Sequence, residues 1–221
     1  RRDITSESPT SDEMVERLPT GITVLDRQLD GGIPEGSVVL LVAPPASQSE
    51  LFLYELTTTR GTLYLTTVRS GTAVEDAIDR VPGRVGNPPV RDIGGDAPLD
   101  NAHSLVRDLP EGANLIIDVM NPLEQRDPRR FRGFLNELQT HLVNTKGLAV
   151  LHALRGDSIP QNRDYTKHMA DVVFELRTST KGAEIENRLA VPKFRGGRAL
   201  RETIKLELAE SVRIDTSRDI A

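Results

Sequence analysis

Five consecutive apolar residues, Val38–Val42, stand between a glycine-rich turn and a polar loop, and this arrangement constrains the fold more than any other stretch. An unbroken apolar run of strand length marks a strand covered on both faces, because a half-exposed strand would alternate. Gly31-Gly32-Ile33-Pro34-Glu35-Gly36-Ser37 leads into it. Ala43-Pro44-Pro45-Ala46-Ser47-Gln48-Ser49-Glu50 follows, ahead of an apolar helix at Leu51–Leu56. Turn, buried strand, loop and helix start is the layout of a phosphate-binding unit, in which loop and helix N-terminus together hold an anion.

The rest of the chain continues the alternation of strand and helix. Residues 1–17 are polar and aperiodic and read as a flexible tail or a linker. Order is expected from Leu18, with Thr20 as a helix cap and Ile22, Leu25 and Leu29 on one helical face. Apolar strands are expected at 62–66, 90–93, 113–119, 148–151 and 171–176, with helices over 73–80 and 99–109 between them. Asp127-Pro128 is a cap and first-turn pair, opening a helix with Phe131, Phe134, Leu135, Leu138 and Leu142 along one face. From 183 to 191, and again from 204 to 208, apolar and charged residues alternate across Gly196-Gly197, which reads as an antiparallel hairpin. The fold class is therefore α/β: one domain over 18–221, a mostly parallel central sheet flanked by helices, and a C-terminal antiparallel hairpin.

Composition narrows the function. None of the 221 residues is cysteine, which removes disulfides, thiolate catalysis and cysteine-bound zinc and fits a reducing cytoplasm. No apolar run approaches the roughly 18 residues of a membrane span, and no signal-peptide pattern opens the chain. A net charge of −5 argues against general nucleic-acid binding. The excess of arginine over lysine suits a GC-rich or salt-adapted source. Arg1 in place of Met reads as the start of a fragment or processed product.

Several segments, in this order, resemble the KaiC-like branch of the RecA-type ATPases. They are Leu18-Pro19-Thr20-Gly21-Ile22 with Leu25-Asp26, then Gly31 to Ser37, then Leu115-Ile116-Ile117-Asp118 at the Walker B position. His168-Met169-Ala170-Asp171-Val172-Val173 and Val191-Pro192-Lys193-Phe194-Arg195-Gly196 complete the set. The resemblance covers Leu18 to the C-terminus and implies a RecA-like P-loop fold. In that family the Lys-x-Arg-Gly hairpin reaches the nucleotide of a neighbouring subunit.

The phosphate loop departs from the family. The working pattern is Gly, four residues, then Gly-Lys-Ser/Thr. Ala43 replaces the first Gly, Gln48 the second, Ser49 the lysine and Glu50 the hydroxyl residue that ligates Mg²⁺, with Ala46 and Ser47 between. Non-glycine residues in left-handed turns cost about 1–2 kcal/mol each. Ser49 brings no cation, and the Glu50 carboxylate repels phosphate. Ser47-x-x-Glu50 also matches a capping box, which would let Glu50 fill the anion position itself. Val68 and Arg69 stand where the family presents catalytic acids. Asp118 is read as a vestigial Walker B aspartate, with no metal bound.

Other chemistry is thin. His103, His141, His152 and His168 show no ligand spacing and read as surface or core imidazoles, and no Gly-x-Ser-x-Gly elbow is present. Asp26 and Asp30 read as solvated. Basic residues gather at Arg126, Arg129, Arg130 and Arg132, and again at Lys193, Arg195, Arg198 and Arg201. The leading expectation is a pseudo-ATPase without a cofactor, acting as a regulatory or scaffolding module on a protein partner or a related KaiC-like subunit. Lys193, Arg195, Arg198, Arg129 and Arg130 are its candidate contacts, and monomer or dimer is favoured over hexamer. One alternative is an atypical Mg-ATP-binding protein that uses Lys193 and Arg195 in place of the loop lysine. Another is a DNA-binding, recombinase-like accessory protein.

Overall fold

A computed structural model describes residues 15–83 and 85–215. Most of the expected tail, residues 1–14, lies outside them. Arg17, expected within that tail, instead forms with Leu18 the short strand β1 (Arg17–Leu18), antiparallel to β2 (Ile33–Pro34). The glycine turn makes this pairing possible. Gly32 has φ +129°, and a Cβ there would sit 2.2 Å from the Leu18 carbonyl oxygen.

The apolar run is β3 (Val38–Ala43), buried at every position, with β7 (Leu148–Leu154) on one side and β8 (Val172–Lys181) on the other, both parallel to it. Outward from β7 come β6 (Asn114–Asp118), β4 (Thr62–Thr66) and β5 (Val90–Asp92), also parallel. Beyond β8 the direction reverses through β9 (Glu184–Phe194), β10 (Ile204–Leu208) and β11 (Val212–Ile214). The sheet order is β11-β10-β9-β8-β3-β7-β6-β4-β5.

The antiparallel region is larger than the sequence pattern suggests. The expected strand at 171–176 runs on to Lys181, turns at Gly182 and pairs with β9 along its length. The far half of β8, Arg177 to Lys181, is polar, so its alternation is hidden in the sequence. Glu186 is buried there and pairs with Lys181 at 2.6 Å.

Period-two alternation along β3 divides the core into two layers. Val39, Leu41 and Ala43 face one layer, shared with α1 (Thr23–Gln28), α2 (Glu50–Leu56), α3 (Gly71–Asp79) and the antiparallel strands. Val38, Leu40 and Val42 face the other, covered by α4 (Pro98–Arg107), α5 (Asn121–Glu124) and α6 (Pro128–Thr145). Asp127 caps α6 by accepting from the Arg130 N–H, and all five expected apolar residues of that helix are buried. Thr20 is not a helix cap. Its N–H and hydroxyl both donate to Asp26 Oδ1, so Asp26 is an internal acceptor rather than a solvated carboxylate.

Candidate functional site at the carboxyl edge of the sheet

Strands β3, β4, β6 and β7 all run toward the same edge, so whatever follows or ends them converges there. In such sheets ligands bind outside the carboxyl ends of the strands. Residues two apart on a strand share a face. Ile116 and Asp118 of β6 therefore point the same way, as do Val150 and His152 of β7. Asp118 is paired in register with His152. Ile116, Val150 and Tyr64 belong to the layer beneath α2, which places the polar groups of Asp118 and His152 under the start of that helix.

There they form a chain. Tyr64 Oη donates to Asp118 Oδ2 at 2.7 Å, Asp118 Oδ1 lies 2.7 Å from His152 Nδ1, and His152 Nε2 lies 2.9 Å from Ser49 Oγ. Two acceptor bonds to one carboxylate assign the proton of the imidazole to Nδ1, leaving Nε2 to accept from the Ser49 hydroxyl. All four residues are buried; Ser49 is 1% and His152 3% exposed. Burial by itself would raise the Asp118 carboxyl. The hydrogen bond from His152, the Tyr64 bond and the nearby Arg69 charge outweigh it and hold that carboxyl below its ordinary value. The Tyr64 phenol is pushed well above its usual range, first by burial and then by Asp118.

A cavity of about 220 Å³ opens onto this chain. Ser49, Asp118 and His152 form its floor, Glu50 and Arg69 its flanks, and Pro45 and the 70% exposed Val68 its rim. Arg69 is the one lysine or arginine in its lining, and its Nη2 donates to the Ala73 carbonyl. Among the described residues no group of three or more His, Asp or Glu is placed to hold a metal ion.

The loop between β3 and α2 carries one correction. The Ser47–Glu50 capping box does not form: Ser49 is the N-cap residue and makes no side-chain cap bond, while Ser47 Oγ donates to the Pro44 carbonyl at 2.7 Å. Asp118, on β6, is buried and accepts from both Tyr64 and His152. Ala43 is buried at the end of β3, the Ser49 side chain points onto His152, and Ala46, Ser47 and Gln48 face a separate groove beside the β8–β9 hairpin.

The histidines divide three to one. His103 pairs with Glu137 at 2.7 Å on the helical face, His141 donates to the Leu109 carbonyl, and His168 is exposed. These three are the surface and core imidazoles expected. His152 is a core imidazole too, but of the four it is the one that lines this cavity, and the signal for that was its place two residues beyond Val150, toward the carboxyl edge of β7.

The basic candidates lie elsewhere. Phe194 is opposite Val172, so Lys193 and Arg195 lie at the amino end of β8, about five residues or roughly 16 Å of strand from the loop at Ala43. Within one chain they do not replace a loop lysine. Lys193 Nζ donates to the carbonyls of Lys167 and His168, closing the end of α7 (Arg163–Met169), and burial followed by the charge of Arg195 lowers its ammonium. Arg195 pairs with Asp171 at 2.7 Å. In the other cluster Arg126 donates to the Gly95 carbonyl, Arg130 pairs with Asp100, and Arg132 stacks over Tyr165. Arg129 and Arg198 are exposed.

A second buried network went unread in the sequence. Arg163 Nε donates to Glu124 at 2.8–2.9 Å, and Thr166 Oγ1 donates to the same carboxylate at 2.7 Å. Arg163 also reaches the Leu154 carbonyl, which ties α7 to α5 and to the end of β7. It holds in place the strand that carries His152.

The comparisons with known proteins agree with this architecture. A family model described as "Family of unknown function (DUF7125)" matches residues 17–221. A search of the curated proteins returned no match. Among solved structures, the KaiC-like protein PH0186 from the hyperthermophilic archaeon Pyrococcus horikoshii OT3 superposes with a TM-score of 0.73 at 18% identity. The match covers 91% of this chain and 99% of that one. At that identity the likeness is one of fold: the chain has a KaiC-like, RecA-type fold. No helix of the described residues is long and apolar enough to cross a membrane.

Proposed function

We propose that this chain, which belongs to the DUF7125 family of unknown function, is a RecA-fold module that has lost ATP hydrolysis and works through protein contacts, as a regulatory or scaffolding subunit. The observation that carries this reading is the bonding of Ser49. It occupies the sequence position of the phosphate-binding lysine, yet its side chain turns down onto His152 at 2.9 Å. No cation from the loop faces the cavity, and Glu50 adds a carboxylate beside it. A triphosphate would meet like charge on one side and Arg69 alone on the other. The cavity volume of about 220 Å³ is also below the range of about 300–1,000 Å³ usual for small-molecule sites.

The partner in this reading is another protein or a related KaiC-like subunit, met through the exposed Arg129 and Arg198. Lys193 and Arg195 hold the end of β9 against α7 and Asp171, and in this reading that end of the sheet faces the partner. RecA-type assembly depends in part on nucleotide at the interface, so a domain without nucleotide is a monomer or dimer rather than a hexamer. Multi-angle light scattering on the full chain, with and without Mg-ATP, tests this. An unchanged mass of one or two subunits is expected, and nucleotide-driven growth to a ring would overturn it.

A further inference from the structure

The geometry points to Ser49 as a nucleophile, activated by His152 and positioned by Asp118, for acyl transfer from small carboxylic esters in the cavity above it. The inference goes beyond the loss of ATP chemistry and does not depend on it. A nucleophilic serine requires three things in reach of one another. These are a hydroxyl bonded to an imidazole, a carboxylate holding the far nitrogen of that imidazole, and a space in which a carbonyl can approach the hydroxyl. Here the spacings are 2.9 Å and 2.7 Å, inside the usual hydrogen-bond range. Ser49, His152 and Asp118 all line the same cavity.

The local structure resembles a nucleophile elbow in one respect, since Ser49 sits on the connection from a buried parallel strand to the helix that follows it. The chain order Ser49, Asp118, His152 is the order of α/β-hydrolase sites. Tyr64 fixes the second oxygen of Asp118, which keeps the carboxylate turned toward Nδ1.

The reaction balances with water as the one co-reactant. Ser49 Oγ attacks the ester carbonyl carbon while its proton passes to His152 Nε2, and Arg69 supplies positive charge for the oxyanion. Collapse breaks the bond to the leaving alkoxide, which takes the proton from His152 and departs as the alcohol. Water then adds to the acyl-serine with His152 again as base. The carboxylic acid leaves and the Ser49 hydroxyl is restored. The cavity volume limits the acyl group to a short chain, and Glu50 at the flank disfavours anionic acyl groups. Ser49 and His152 are the catalytic residues; Asp118 and Tyr64 act through His152 and are positioning residues.

The test uses the full chain and two probes. Wild-type protein is treated with a fluorophosphonate and mapped by peptide mass, with p-nitrophenyl acetate hydrolysis followed alongside. The expected result is a single adduct on Ser49, and His152→Gln slowing its formation by about 100-fold or more. Because the chain has no cysteine, Ser49→Cys introduces one thiol of nearly the same size and tests activation even where Ser49→Ala misfolds. That thiol is expected to react with iodoacetamide at neutral pH at least tenfold faster than in the Ser49→Cys/His152→Gln double variant. A purely structural hydrogen bond would not produce that difference. Absence of a Ser49 adduct, or a thiol alkylated at the same rate with and without His152, overturns the proposal.

Discussion

Asp118 Oδ1 lies 2.7 Å from His152 Nδ1 across adjacent parallel strands, and the pair is buried at the carboxyl edge of the sheet. The depressed Asp118 carboxyl gives this contact a signature in acid. A carboxylate whose folded value is below its unfolded value of about 3.9 stabilises the fold fully above that pH, and the contribution is lost as pH falls through the folded value. Thermal melts between about pH 6 and pH 2 should therefore show a steeper acid decline for wild type than for Asp118→Asn. Parallel declines would mean that the carboxylate carries no special stabilisation.

Glu124 and Arg163 make a buried ion pair at the far side of β7. Removing one partner leaves the other charged and without solvent, so Glu124→Gln should destabilise by about 3–5 kcal/mol in urea unfolding. The joint replacement Glu124→Leu/Arg163→Met should cost much less than the sum of the two single changes. An additive double variant would show that the two side chains act independently.

Gly32 is a backbone requirement of the β1–β2 turn. At φ +129° with the Leu18 carbonyl 2.2 Å from a would-be Cβ, Gly32→Ala should cost about 2–4 kcal/mol through strain and displacement of β1. Gly133→Ala, on the open face of α6, should instead stabilise by up to about 1 kcal/mol. Equal effects at the two sites would contradict this account of the turn.

Asp171 links β3 to the β9 strand end: Oδ2 accepts from the Val38 N–H at 3.0 Å and Oδ1 from Arg195 at 2.7 Å. Asp171→Ala leaves a buried N–H without its partner and should cost about 1–3 kcal/mol. Arg195→Ala removes a half-exposed ion pair and should cost about 1 kcal/mol or less. A larger loss from the arginine than from the aspartate would place the linkage elsewhere.

The fold was readable because its strongest signals are local. Val38–Val42, Leu115–Asp118 and the α6 stripe each carry their burial in their own pattern, and the structure places them as the pattern requires. The length of β8 was not readable, because Arg177 to Lys181 are polar and pair with β9 only through register. The site was half readable. The loop residues were singled out for what they lack, while the bond from Ser49 to His152 spans 103 positions and depends on two strands ending level with each other. The Ser47–Glu50 capping motif misled for the opposite reason. It is a local pattern that the Ser47–Pro44 bond displaces.

Isothermal titration of the full chain with Mg-ATP bears most directly on the central claim that this RecA-type loop no longer grips nucleotide. The account predicts no saturable binding up to about 1 mM nucleotide, equivalent to less than about 4 kcal/mol of affinity. A micromolar dissociation constant that Asp118→Asn abolishes would contradict it.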